Sequence, residues 1–483
     1  MSAAPDAVRR SRRAAAVAAV VLFAAVGAVL ALTTPWNPLA GDVPGGAAPV
    51  DPARDFSPAE LARSRAFDAA LAPRAYTGPA VGLGLVLVLG LTPLGARFVG
   101  WTTARVRHRP LRVVVAALAL TTLLRLAALP FSVWGQVILH RYGLSTQSWP
   151  DWLGDQARSL GLTWVVWTIA LLLLFWALRR FPRYWWTGAA AGGFLLVVAL
   201  SFLYPVVVEP VFNSFRPLPQ GRLRADLLAM AERDGVPVRD VLVADASRRT
   251  TALNAYVSGF GSTRRIVVYD TLLENTPAPR IKAIVAHELG HAERADVLYG
   301  TLVGALGVSA AVCLLHVLLS SPRLLRRAGI GPAPGDAASP GDGRGRDGAE
   351  PVSAAASEEA DGASRAGDGT AGATCDPRAV ALLVALVTVA LQLSAPVQNL
   401  VSRRIEARAD AHSLNLTRDP ATFVSMQREL SVRNISDLRP DPLERVLYMT
   451  HPSAPERIAL ARDWARLHGV PEPPSQRPGS GRR

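Results

Sequence analysis

The chain has 483 residues, half of them apolar, with a mean hydropathy of +0.23 and a formal net charge of +14. Its apolar residues fall in blocks of about twenty, long enough to cross a hydrocarbon core of roughly 30 Å, which excludes an ordinary soluble enzyme. The only cysteines are Cys313, inside an apolar block, and Cys375, in a Gly/Ala-rich stretch, which excludes a disulfide framework. The arginines cluster at the ends of the apolar blocks, so the basic charge points to a bilayer and not to nucleic acid.

Seven blocks read as membrane spans: 14–32, 78–99, 113–139, 160–178, 185–208, 297–319 and 380–397. The first follows Arg9, Arg10, Arg12 and Arg13, but it is long for a signal peptide and lacks a small-x-small cleavage site, so it reads as a span. The short loops at 105–109 and 179–183 are also basic, and alternating spans bring them to the side of the N-terminus. The positive-inside bias makes that side cytoplasmic and leaves 209–296 and 398–483 facing outward. Arg125, near the middle of the third span, calls for an ion pair or a wet internal chamber. Residues 331–376, mostly Gly, Ala, Pro, Ser, Asp and Arg, read as a disordered insertion, and the last dozen residues as a loose tail. A single lysine, Lys282, amid abundant Arg, Ala, Gly and Pro suggests a GC-rich bacterial genome and hence a bacterial cell membrane.

Just ahead of the sixth span stands His287-Glu288-Leu289-Gly290-His291, a His-Glu-x-x-His pattern. Thr276 as cap and Pro277 at the first helical position open its helix. Residues four apart share a helix face, so His287 and His291 can grip one ion, and Glu288 is placed to act on a water beside it. Zinc catalysis needs a third protein ligand, and Glu406, just after the seventh span, is the best candidate. Two crossings separate it from His291, so all three meet at one membrane face. Asp410, a turn beyond Glu406, can orient a ligand histidine. The competing readings are a buried helix with merely hydrogen-bonded histidines and a solvated acidic-basic helix face.

With these residues the chain resembles the type 1 CAAX prenyl endopeptidases, a family of seven-span zinc metalloproteases. Tyr204-Pro205, 210–213, 245–249, Asn254-Ala255-Tyr256, 265–273 and His451-Pro452-Ser453 followed by Glu456-Arg457-Ile458 match its pattern in order. Ala252-Leu253 departs from the family's His-Ser, a difference that bears on substrate specificity. The resemblance implies that Asn254 pairs with the substrate backbone. His451 as oxyanion donor and Arg457 as added positive charge fit the same chemistry. Short strand-like runs at 241–243, 253–257 and 266–269, with a turn at 259–262, predict a small sheet whose edge can accept an extended peptide.

The fold expected is therefore mainly α: a polytopic helical bundle with a zincin-like metalloprotease domain carrying a small β-sheet. Its parts are a five-span region (1–208), protease halves at 209–296 and 398–470, spans at 297–319 and 380–397, an insertion (320–379) and a tail (471–483). The expected reaction is peptide-bond hydrolysis with one zinc per chain, on a peptide or protein that carries a lipid in the CAAX reading. The runner-up is a heat-shock-type quality-control or peptide-processing protease. A non-catalytic membrane protein with a relic metal site is the reading from outside the enzymes.

Overall fold

The apolar blocks form helices in a computed structural model that describes residues 3–331 and 375–476. Among the described residues seven are long and apolar enough to cross a membrane, beginning with Ala3–Thr33, Pro58–Leu91, Arg109–Arg141 and Trp149–Arg180. Trp185–Leu203, Asp296–Leu319 and Val380–Thr417 complete the set. The second block does not run unbroken to residue 99. Pro93 removes a backbone donor and bars Thr92 from helical geometry, so the chain restarts there as the separate helix Pro93–Thr103. Arg125 forms no ion pair among the described residues, and its Nε is buried without a hydrogen-bond partner.

The two ends of the bundle are distinct. Near the N-terminus Ser11 Oγ donates to the Arg183 carbonyl (2.7 Å) and accepts from Trp186 Nε1 (3.2 Å). Arg109 and Arg179 both act on Cys375, so the three basic clusters of the sequence share this end. At the other end Thr33 meets Tyr299 at 2.5 Å, and there the His287–His291 helix leads into the sixth span. Helix Pro322–Arg327 and the turn Pro377–Ala379 flank residues 332–374, so most of the expected insertion lies outside the described residues.

Beyond the fifth span the chain builds a four-stranded sheet in the order β1-β2-β4-β3. The strands are β1 (Phe215–Pro217), β2 (Asp240–Ala244), β3 (Ala255–Ser258) and β4 (Arg265–Tyr269). β2 and β4 are parallel, with Val241 opposite Ile266, and β3 pairs antiparallel with β4, Ala255 opposite Val268. Three of these strands coincide with the expected runs; β1, three residues ending in Pro217, carries no alternation to betray it. The β3–β4 turn depends on Gly259 at φ +89°, where a Cβ would stand 2.6 Å from the Thr263 carbonyl oxygen. Val241, Val243, Ile266 and Val268 pack against Leu272, Ile281, Val285 and Leu289 in one core with Ile458 and Trp464 of the last helix, Ala454–Leu467.

The segments that match the family pattern dock this domain on the bundle. Glu209, buried at the end of the fifth span, accepts from Ser258 Oγ (2.7 Å) and Arg265 Nη2 (3.0 Å). Arg249 reaches Asp155 of the fourth span (2.7 Å) and Asn213 Oδ1 (2.7 Å), and the Ser214 amide donates to Asp245 (2.8 Å). Asp55, ahead of the second span, is bound through both oxygens by buried Arg462 of the last helix (2.8 and 2.6 Å). Part of the expected tail, residues 471–476, is described: Glu472 pairs with Arg54 (2.7 Å) and Arg466 (2.9 Å). Residues 477–483 lie outside the described residues.

Candidate metal centre and active site

The helix Ala278–Glu293 carries the His-Glu-x-x-His pattern. It starts one residue later than expected: Pro277 is the cap, and the buried Thr276 hydroxyl has no hydrogen-bond partner. Ile281, Ile284, Val285 and Leu289 face the core, which turns His287 and His291 toward the seventh-span helix Val380–Thr417 and leaves Glu288 on the cleft. Close approach of the two helices needs Gly290, where a Cβ would stand 2.9 Å from His412 Cβ, and Ser413 Oγ fastens them by donating to the Ala283 carbonyl (2.8 Å).

At this crossing His287, His291 and Glu406 converge. Their Nε2 atoms are 3.3 Å apart, with Glu406 Oε2 3.3 Å from His287 Nε2 and Glu406 Oε1 3.4 Å from His291 Nε2. A tetrahedral ion with ligand distances of about 2.1 Å sets neighbouring ligand atoms about 3.4 Å apart, which matches the imidazole pair, and Glu406 offers each imidazole one oxygen at that distance. Its chemistry fits as well: two imidazoles and a carboxylate converge, and Glu406 Oε2 is buried without a hydrogen bond.

Each imidazole shows Nε2 to the centre and Nδ1 to a carboxylate. His287 Nδ1 lies 2.9 Å from Oδ1 of fully buried Asp410. Arg457 holds Asp410 from behind through Nε (2.8 Å) and Nη2. His291 Nδ1 lies 2.9 Å from Asp296 Oδ2, and Arg408 in turn binds Asp296. For His291 burial opposes protonation, but the hydrogen bonds to Asp296 and Glu406 outweigh it and push the pKa of the metal-free imidazole up to about 10. Burial raises the pKa of the Glu288 carboxyl, whose side chain makes no hydrogen bond among the described residues and faces the cleft.

That cleft, of about 970 Å³, runs along the free edge of β3 and is lined by Asn254, Tyr256, Glu288, Glu406, His451 and Arg457. Its wall also includes Phe202 of the fifth span and Val297 and Leu298 of the sixth. Asn254 is exposed, and its side chain has no hydrogen-bond partner among the described residues. His451 Nε2 lies 3.4 Å from Glu406 Oε1, while its Nδ1 meets Thr450 Oγ1 at 2.8 Å. Arg457 lines the cleft while it donates to Asp410, and its Nη2 lies 3.2 Å from His287 Nδ1.

Three contributors went unread in the sequence. One is Asp296. Another is Asn434, whose amide clamps Leu253 through its N–H (2.9 Å) and its carbonyl (3.2 Å), fixing the backbone that presents Asn254. The third is Arg403, which donates to the Arg445 (2.6 Å) and Met449 (2.5 Å) carbonyls and steadies the loop that carries His451.

Residues 217–465 match the profile described as Peptidase family M48, and residues 48–214 the one described as CAAX prenyl protease N-terminal, five membrane helices. The chain is 29% identical to the "Uncharacterized metalloprotease YhfN" of Bacillus subtilis over 85% of its own length and 87% of that protein. With CAAX prenyl protease 1 of Saccharomyces cerevisiae identity is 30% over 37% of this chain, and with the Homo sapiens homologue 28% over 39%. These two matches span only 40% and 41% of those proteins. The crystal structure of S. mikatae Ste24p shares the fold, at a TM-score of 0.69 over 93% of this chain and 99% of that one, with 19% identity. Profiles that account for both the five-helix region and the domain bearing His287 and His291 leave one assignment: the chain belongs to peptidase family M48, in its CAAX prenyl protease branch, and is a multi-pass membrane metalloendopeptidase.

Proposed function

We propose that this protein hydrolyses peptide bonds with one zinc ion per chain held by His287, His291 and Glu406, with Glu288 as proton carrier. The observation that carries the reading is the convergence of the two imidazole Nε2 atoms, 3.3 Å apart, with one Glu406 oxygen 3.3 Å from His287 and the other 3.4 Å from His291, beside a carboxylate that faces an open cleft. Zinc held there supplies Lewis acidity at the scissile carbonyl and makes water reactive near neutral pH. A peptide adds to the edge of β3, where Asn254 hydrogen-bonds its backbone and fixes the carbonyl over the site. Glu288, its pKa raised by burial, takes a proton from the attacking water and returns it to the leaving amine. With Thr450 donating to its Nδ1, His451 presents Nε2–H to the oxyanion. Asp410 holds His287 in the tautomer that offers Nε2 inward, and Arg457 keeps that carboxylate charged and in place.

The substrate we propose is a lipid-modified peptide, as the names of the CAAX relatives imply. Support comes from Phe202, Val297 and Leu298, through which spanning helices contribute apolar wall to the cleft. Ala252-Leu253, in place of the family's His-Ser, favours the second reading, a processing or quality-control protease acting on unmodified peptides. Both are tested with detergent-solubilised protein, a farnesylated peptide and its unmodified counterpart. Cleavage of the farnesylated peptide alone supports the first, and equal cleavage the second. Loss of both cleavages in Glu288→Gln, with zinc retained, is expected in either case; normal cleavage by that variant contradicts the assigned role. We further propose a bacterial cell membrane with the cleft on the outer side, since the basic clusters lie at the opposite end of the bundle.

A further inference from the structure

His291 is held by a residue that helical spacing alone places elsewhere. On an uninterrupted helix Asp296, five positions on, points about 140° away from His291 at roughly 100° per residue. The chain is interrupted instead. The His287–His291 helix ends at Glu293, Ala295 takes left-handed geometry (φ 53°, ψ 39°), and Asp296 opens the sixth span. That conformation is disfavoured for a residue with a side chain and persists only where the surroundings enforce it. Its effect is to turn Asp296 back onto His291 Nδ1 at 2.9 Å.

The seventh-span helix closes the arrangement. Arg408, two residues past Glu406, binds the other oxygen of Asp296. The carboxylate is one-tenth exposed, so little water competes for it. One side chain thus joins a proposed metal ligand, the first residue of one span and the helix that bears the third ligand. The pair repeats Asp410 and Arg457 behind His287, but it stands on the spans, whereas Arg457 belongs to the last helix.

We propose that Asp296, braced by Arg408, is the positioning residue for His291, and that the entry of the sixth span thereby sets how tightly the site holds its metal. This rests on the zinc reading above. Held at Nδ1–H, the imidazole keeps its inward lone pair on Nε2; without the carboxylate the ring is free to turn and its basicity falls.

The test uses the full chain in detergent, stripped of metal and titrated with zinc against a chromophoric chelator, with cobalt as a spectroscopic probe. Asp296→Ala is expected to weaken zinc binding 10–100-fold, the range typical of such partners, and to alter the cobalt absorption bands. Asp296→Asn keeps an acceptor oxygen and should fall between the two. At saturating zinc the loss should appear in kcat, with KM for a cleaved peptide little changed. The thermal shift on adding zinc should shrink in Asp296→Ala more than the melting temperature of the metal-free protein falls. Zinc affinity within threefold of the parent together with an unchanged cobalt spectrum overturns the proposal, as does a fall in metal-free stability with affinity intact. His287→Ala separates the two readings. If it binds zinc as the parent does, the metal assignment itself fails and this inference with it; if it loses zinc while Asp296→Ala does not, only this inference fails.

Discussion

Replacing Asp410 by asparagine changes one atom and one charge in the best-sealed carboxylate of the site. Asp410 has no exposed surface and accepts from Arg457 Nε (2.8 Å), from Arg457 Nη2 and from His287 Nδ1 (2.9 Å). Asparagine offers one acceptor oxygen to these donors and turns an N–H₂ toward another. Removing one partner of a buried ion pair costs about 3–5 kcal/mol. Here Gln427, its amide turned to face the guanidinium, also accepts from Arg457 at 3.1 and 3.2 Å, which argues for the lower end of that range, about 3 kcal/mol. Loss of the His287 partner adds a drop of about 10–100-fold in zinc affinity. The assay pairs denaturant unfolding of the metal-free protein in detergent with chelator competition for zinc. Metal-free stability within about 0.5 kcal/mol of the parent, with zinc affinity within about threefold, refutes the reasoning, because a buried, triply engaged carboxylate cannot be removed without either cost.

Glu288→Gln should lower kcat by about 10²–10⁴ and keep one zinc per chain, checked by metal analysis beside a peptide assay. The hydrogen bonds of His291 to Asp296 and Glu406 hold a proton on the metal-free site, so zinc must displace it. Zinc affinity is therefore expected to fall about tenfold or more for each pH unit on going from pH 8 to 6, and a flat titration profile contradicts this. Glu444 is pushed up to about 7 by burial, with Asp68 and Asp437 adding repulsion. A carboxyl raised in the folded state costs stability once it ionises, so stability should decline from about pH 4.5 to 7, and Glu444→Gln should flatten that decline in thermal melts. Asp55→Ala leaves buried Arg462 with Glu472 at 3.8 Å and the Pro473 carbonyl at 3.4 Å, and should destabilise by about 3 kcal/mol; adding Arg462→Met should recover much of it in a double-mutant cycle, and strict additivity speaks against the pair.

What the sequence revealed followed the regular geometry of the chain. His287, Glu288 and His291 share one helix, and Asp410 stands four residues past Glu406 on another, so helical spacing alone set each pair on a common face. Glu406 was reached by counting two membrane crossings, an argument that needs only span length. Asp296 was out of reach because the left-handed turn at Ala295 overrides that spacing. Asn434 and Arg403 escaped for a different reason: both bind backbone groups, Asn434 those of Leu253 and Arg403 the carbonyls of Arg445 and Met449, and backbone groups leave no trace in residue type. The break at Thr92-Pro93 was hidden by the unbroken hydropathy across residues 78–99, and proline alone does not mark it, since Pro73, Pro79, Pro130 and Pro396 stand inside helices.

The central claim is that one carboxylate from beyond the seventh span completes a metal site begun by two imidazoles before the sixth. It is tested most directly by the zinc content of Glu406→Ala after dialysis against a weak chelator, measured beside the parent and Glu288→Gln. One zinc per chain is expected in the parent and in Glu288→Gln, and almost none in Glu406→Ala. A full zinc complement in Glu406→Ala contradicts it.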